Sequence, residues 1–300
     1  MKLMNGNEHW NEVVKEYNIL RKNGHDAQET ISIIRRTYSD IGPINKSRLE
    51  EQYEKSKSVI STLDLNLLTK GGGNWNINKV NMKKSVVSTF QGKTVVKSMY
   101  DKNSGTSANP GTGGFSFVAV PDGLDKNAIA FSWDVLYPKG FDYARGGKHG
   151  GVFIGHGSAS GYEHSKTGSS NRIMWQKNGG VIDYIYPPSD LKQKIPGLDP
   201  EGHGIGFFEN DFKNALKYDV WNRIELGTKM NTFKNDVPQL DGESYVIVNG
   251  KKSVLKGINW SRSPDLMINR FDWNNFFGGP LPSPKNQVAY FTNFQMKKYE

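Results

Sequence analysis

The sequence predicts an all-β protein, a two-sheet antiparallel sandwich of jelly-roll type with a small helical segment in front of it. Three observations predict it. From Trp75 onward, short apolar runs alternate with turn signals. The 33 glycines and 13 prolines fall mostly after residue 70. Helical periodicity is confined to the part before Lys57. Many short strands with few helices over one long stretch suit a single sandwich better than several domains.

In residues 8–22, Trp10, Val13, Val14, Tyr17 and Leu20 recur at helical spacing, and Asn23-Gly24 stops the helix. Asp26 followed by Glu29 reads as a capping pair for a second helix through ISIIRRTY. Gly42-Pro43 ends that helix, and Asn45 opens a third, charged one through Lys57. Lys70-Gly71-Gly72-Gly73 marks the composition change, so the expected division is a helical module over 1–70 and a jelly roll over 71–300. Strands are expected at KSVVSTF, KTVVKSMY, GGFSFVAVP, AIAFSWDVLYP, GGVFIG, RIMWQ, VIDYIY, WNRIELGTKM, SYVIVNGKK and QVAYFTNFQMKKY. Asn249-Gly250 is a hairpin turn. Residues 190–217 and the proline-bearing 262–287 read as long loops.

Charge separates the two parts. Residues 1–70 carry 11 basic against 10 acidic side chains, and the remainder carries 28 against 20. The basic excess therefore belongs to the β-rich part and fits an anionic partner, although a solvated basic surface fits charge alone equally well. The near-neutral helical module argues against nucleic acid and leaves packing or assembly as its role. The amino terminus is polar, and no apolar run reaches the roughly 20 residues of a membrane span, so a soluble protein without a secretory leader is expected. With no cysteine, thiolate catalysis, disulfides and cysteine-zinc sites are excluded.

The chemistry concentrates between Phe141 and Pro188. SNRIMWQ, a K-N-G-G turn and VIDYIYP read as a hairpin whose loop length decides which side chains share a face. A two-residue turn would put Ser170 and Arg172 opposite in sense to Tyr184 and Tyr186. A three-residue loop, Lys177-Asn178-Gly179, sets Arg172 against Tyr184 and Ser170 against Tyr186, with glycine at the left-handed position. Ile173, Trp175, Val181 and Ile185 then share an apolar face. The second register is the one expected.

Other chemistries fit poorly. The six histidines lack metal-ligand spacing, although His156, His164 and His203 could converge in space. Ser158 in GHGSASG lacks the strand-turn-helix context of a nucleophile elbow. No phosphate-binding glycine pattern is present. Asp142 and Asp183 could form a glycosidase pair, but Asp183 faces away from Arg172 on the expected register.

The polar face suits proton abstraction next to a carboxylate. Cleaving a polyuronate by β-elimination requires a neutralised carboxylate, a base for the C5 proton and an acid for O4. Arg172 offers a fork for the carboxylate. Tyr184 or Tyr186 can transfer protons, and Lys148 can stabilise the enolate-like intermediate or act as the base. No metal or cofactor is required. An exposed basic and aromatic face without chemistry is the plainer alternative.

The segments FDYARGGKHGG and SSNRIMWQKNGGVIDYIYPP resemble the core of polysaccharide lyase family 14, the alginate and glucuronan lyases of algal viruses and marine molluscs. The resemblance runs from about Trp75 to the C-terminus and rests on Gly146-Gly147-Lys148, Ser170-x-Arg172-x-Met174-Trp175 and Tyr184-x-Tyr186. It implies a jelly roll with a concave site that eliminates uronate linkages of an acidic polysaccharide such as that of an algal cell wall. It implies Lys148, Arg172, Tyr184 and Tyr186 as catalytic residues, with Ser170 orienting a tyrosine or the substrate. His149 departs from the pattern and is expected to tune Lys148 or bind substrate, and Arg145 to bind substrate. A viral source would place the protein in the host cytoplasm or with the virion. A lectin that binds acidic glycans without cleaving them is the alternative of a different class.

Overall fold

The computed structural model describes residues 6–38, 46–105, 113–161, 163–191, 193, 195–198, 204–278 and 282–300. Gly42-Pro43, Asn45 and His203 lie outside the described residues. The chain forms two compact units, Met1–Ile60 and Ser61–Glu300.

The first unit holds α1 (Gly6–Lys22), α2 (Ala27–Thr37) and α3 (Lys46–Lys57). Their apolar stripes meet in a core of Val13, Tyr17, Ile31, Ile34, Leu49 and Tyr53. Asp26 caps α2 by accepting from the Gln28 and Glu29 amides at 2.8 and 2.9 Å. The Glu29 carboxylate does not complete a reciprocal box. It lies 3.1 Å from His25 instead.

The expected boundary at residue 70 falls inside the second unit. The Leu63 amide donates to the Phe294 carbonyl, and Leu63, Leu65 and Leu68 are buried in that unit's core. The composition change at Lys70 marks a turn in the sandwich, not its edge.

The strands, in chain order, are β1 (Val59–Thr62), β2 (Asn78–Asn81), β3 (Val86–Phe90), β4 (Lys93–Tyr100), β5 (Phe115–Ala119) and β6 (Ala128–Leu136). There follow β7 (Gly146–Gly155), β8 (Gly168–Gln176), β9 (Gly180–Tyr186), β10 (Ile205–Phe207), β11 (Trp221–Lys229) and β12 (Phe233–Lys234). The last are β13 (Val237–Pro238), β14 (Gly242–Val248), β15 (Lys251–Ile258), β16 (Ile268–Phe277) and β17 (Gln287–Lys298). One sheet runs β15-β14-β11-β6-β17-β4-β3, and the other β10-β9-β8-β7-β16-β5-β2. The ladders are antiparallel, and inward side chains of both sheets fill an aromatic core around Trp75, Phe131, Trp133, Phe271 and Trp273.

All ten expected strands are present. The expectation that 262–287 is loop is overturned by β16, which lies between β7 and β5. Its prolines flank the strand, and the run INRFDWNNFF alternates in the period of a strand. Phe271 and Trp273 point inward, while Arg270 and Asp272 are partly exposed on the other face.

The β8–β9 connection is the three-residue loop Lys177–Gly179, with Gln176 paired to Gly180. Asn178 and Gly179 are both left-handed, at φ 59° and 73°, where the sequence predicted only the glycine. A Cβ on Gly179 would lie 2.8 Å from the Leu216 carbonyl oxygen. Gly179→Ala is therefore expected to lower unfolding stability by about 1–3 kcal/mol, read from the urea midpoint, while Asn178→Gly leaves it within about 0.5 kcal/mol.

Candidate active site

On the outer face of the second sheet, neighbouring strands align their side chains in three rows. The first is Phe276, Lys148, Met174 and Ile182. The second is Asp272, Gly151, Arg172, Tyr184 and Gly206. The third is Arg270, Phe153, Ser170 and Tyr186. The hairpin register expected from the sequence is the one observed: Arg172 opposes Tyr184, and Ser170 opposes Tyr186.

A bulge in β7 makes the rows possible. Between Lys148 and Gly151 that strand advances three residues while β8 advances two. Lys148 and Gly151 thus keep the outer face, and His149 is turned inward. Gly151 sits between Asp272 and Arg172 in its row. A Cβ there would lie 2.0 Å from the Asn171 carbonyl oxygen and 2.6 Å from Arg172 Cγ, so only glycine lets the arginine lie across the strand.

Lys148 is partly buried, with Nζ 5.7 Å from the centre of the Tyr184 ring and 5.6 Å from that of Phe276. Burial, and then the positive charge of Arg172, pushes its pKa down to about 7. An ammonium with poor solvation beside a second cation gives up its proton readily. Arg172 is 4 % exposed and lies between the rings of Phe153 and Tyr186, each 5.3 Å from Cζ. Its Nη2 donates to the Ala159 carbonyl at 2.9 Å. Burial lowers its pKa, and the nearby Tyr186, Asp272 and Tyr184 oppose that shift.

The remaining expected site residues differ in burial. Ser170 is fully buried, and its hydroxyl donates to the same Ala159 carbonyl at 2.7 Å, which ties Ala159 to β8. Tyr186 is 2 % exposed, packed with Ala159 and Phe153 and against the His164 ring at 4.9 Å. It shapes the pocket around Arg172, whereas Tyr184 remains partly exposed. His149 is 1 % exposed and takes no part in the outer face. Trp133 Nε1 donates to its Nδ1 at 3.1 Å, which leaves the proton on Nε2 to face the Tyr137 hydroxyl at 2.8 Å. Burial pushes its pKa down to about 3. Arg145 is exposed before the first β7–β8 pair, Gly146 with Gln176, outside all three rows.

Asp183 does face away from Arg172. It is buried between the sheets, accepts from Ser244 Oγ at 2.6 Å, and burial raises its carboxyl to about 7. Asp142 is exposed, so the two carboxylates do not share a cleft. Sequence reasoning missed Arg270 and Asp272, an ion pair at 3.5 Å with Arg270 over Phe153 at 4.2 Å. The alternation in INRFDWNNFF was the signal that would have found them. Among the described residues no group of three or more His, Asp or Glu side chains is placed to hold a metal. No helix among them is long and apolar enough to cross a membrane.

His149 imposes a pH dependence on folding. Between its unfolded value of 6.5 and its folded value of about 3, only the unfolded chain takes up the proton. Stability is therefore expected to fall with pH across that window by about 1.4 kcal/mol per unit for this group, with His149→Phe flattening the slope in urea titrations.

Comparison with known proteins places these rows in context. The family model described as Polysaccharide lyase 14 matches residues 88–294. Exolysin of Paramecium bursaria Chlorella virus 1 is 31% identical over 202 residues, 60% of this chain and 30% of exolysin, so the chain spans under a third of that curated relative. The crystal structure of alginate lyase vAL-1 from Chlorella virus superposes with a TM-score of 0.80 at 86% identity, over 80% of this chain and 100% of that one. The marine PL-14 alginate lyase from Aplysia kurodai gives 0.68 at 20% identity, over 80% and 99% of the two chains, a likeness of fold.

Proposed function

The chain belongs to polysaccharide lyase family 14, and from that premise we propose that it cleaves an alginate-type acidic polyuronate by metal-independent β-elimination. The observation that carries this reading is Lys148, a lysine whose pKa is pushed down to about 7 by burial and by Arg172, on a face otherwise lined by arginines and tyrosines. A free amine is available there near neutral pH, which is what a general base for a carbon acid requires.

In this mechanism the neutral Nζ of Lys148 takes the C5 proton. The electron pair of the broken C5–H bond forms the C4=C5 double bond as the C4–O4 bond breaks. Tyr184, the more exposed tyrosine and the one beneath Lys148, gives its hydroxyl proton to O4, which leaves as the hydroxyl of the new reducing end. The uronate carboxylate spreads the developing charge and needs cationic partners. Arg172 supplies one by exchanging the Ala159 carbonyl it now holds for the carboxylate, and Arg270 in the adjacent row supplies a second. Tyr186 and Phe153 hold the Arg172 guanidinium in place between their rings.

Cleavage by elimination leaves a conjugated uronate that absorbs in the ultraviolet, whereas a lectin with the same face produces no such signal. Lys148→Ala and Tyr184→Phe are each expected to lower the rate of that absorbance rise by about 100-fold or more with folding intact. Lys148→Arg separates base from charge stabiliser: a guanidinium keeps the charge but cannot lose its proton, so activity is expected to vanish with it. Full activity in these variants would end the assignment.

The pH profile follows from the same group. Below about 7 Lys148 is an ammonium with no lone pair, and above it the amine is free. The expected profile of kcat/KM rises with pH through about 7 and then levels until another group titrates. Activity is expected to survive EDTA.

A further inference from the structure

At the turn end of the β8–β9 hairpin, beyond the Gly146–Gln176 pair, a cavity of about 570 Å³ opens outside the three rows. Its wall carries Arg145, Lys177 and Lys285, all exposed, against the single carboxylate of Asp142. Arg145 and Lys177 make no ion pair or side-chain hydrogen bond among the described residues. Lys285 reaches back to the Gly140 carbonyl at 2.6 Å, and Asp142 accepts from the Ala144 amide at 2.8 Å. Three cations facing one carboxylate concentrate positive potential in a concave space.

The cavity also contains a fixed aromatic platform. Tyr218 is 43 % exposed, yet it is held in place. Its hydroxyl donates to the Phe141 carbonyl at 3.0 Å, and its ring stacks on buried Tyr143 at 5.6 Å and 29°. A rigid, exposed aromatic face beside cations is what recognises a ring with an apolar face and an anionic substituent. A hexuronate residue has both.

We propose that this cavity is a secondary subsite for an acidic sugar residue, which holds its carboxylate between Arg145 and Lys177 and its ring against Tyr218. The inference rests on the polyuronate reading above. Lys177 opens the turn just past the end of β8, three residues from Met174, the neighbour of Lys148, which at strand spacing is at most about 10 Å. A chain of several sugars with one ring at Lys148 extends further into the cavity than a disaccharide does. The subsite therefore favours long substrates and grips the polymer on one side of the scissile bond.

The test uses full-length Lys148→Ala, so that substrate binds without turnover, with and without Arg145→Glu and Lys177→Glu together. Calorimetry would measure binding of oligouronates of two and of six or more residues. Charge reversal is expected to weaken binding of the long oligomer about tenfold or more, with the short one unchanged. Equal affinity for the long oligomer in both proteins would overturn the subsite while leaving the polyuronate reading in place. Equal weakening of both lengths would also overturn it, because the cations would then act only as a general field. If neither length binds and the unmodified protein yields no unsaturated product, the polyuronate reading fails and the subsite with it. Tyr218→Ala, checked for an unchanged urea midpoint, is expected to reproduce the selective loss for the long oligomer.

Discussion

The alignment of Asp272, Gly151, Arg172 and Tyr184 across four strands is the constraint on which the rest of the site depends. It requires two backbone events at once. The three-residue turn at Lys177–Gly179 sets β9 against β8, and the bulge after Lys148 sets β7 against both. A one-residue slip in either would turn a strand over and exchange its polar face for its apolar one. Gly151 adds the third condition, because any side chain there would occupy the space that the Arg172 side chain crosses.

That alignment gathers cations where water is scarce. Arg172 is buried under the Ala159 loop, and Lys148 lies within its field. Two like charges in a poorly hydrated place work against folding, and the structure lessens the conflict by letting one of them become neutral near pH 7. The carbonyl of Ala159, the rings of Phe153 and Tyr186 and the carboxylate of Asp272 support the one that stays charged. The arrangement that is awkward for stability is the one that makes a base. His149 shows the converse one residue away, where full burial among Trp133, Trp175 and Trp273 leaves the ring neutral and structural.

Much of this was legible in the chain. The hairpin, its three-residue loop and the pairing of Arg172 with Tyr184 follow from alternation and from the glycine at the turn. The burial of Ile173, Trp175, Val181 and Ile185 follows from the same count. Strand β16 was not legible as read, because flanking prolines and paired asparagines suggest a loop and its outward side chains are charged. Its loss from the reading also removed Arg270 and Asp272 from the site. Ser170 and Tyr186 were legible as members of the face, but their burial was not. It comes from Ala159, eleven residues before Ser170, folding back over them.

Local pattern alone therefore determined the sandwich class, the hairpin register and the residue types of the polar face. Alternation and turn chemistry act between near neighbours in the chain, and they leave their marks in its order. The tertiary structure alone decided which of those residues meet solvent and with what charge. The inward turn of His149, the covering of Ser170 and Tyr186, the lowered proton affinity of Lys148 and the separation of Arg145 from the rows all arise from contacts between distant segments. Burial and fields are sums over neighbours in space, and no count along the chain contains them.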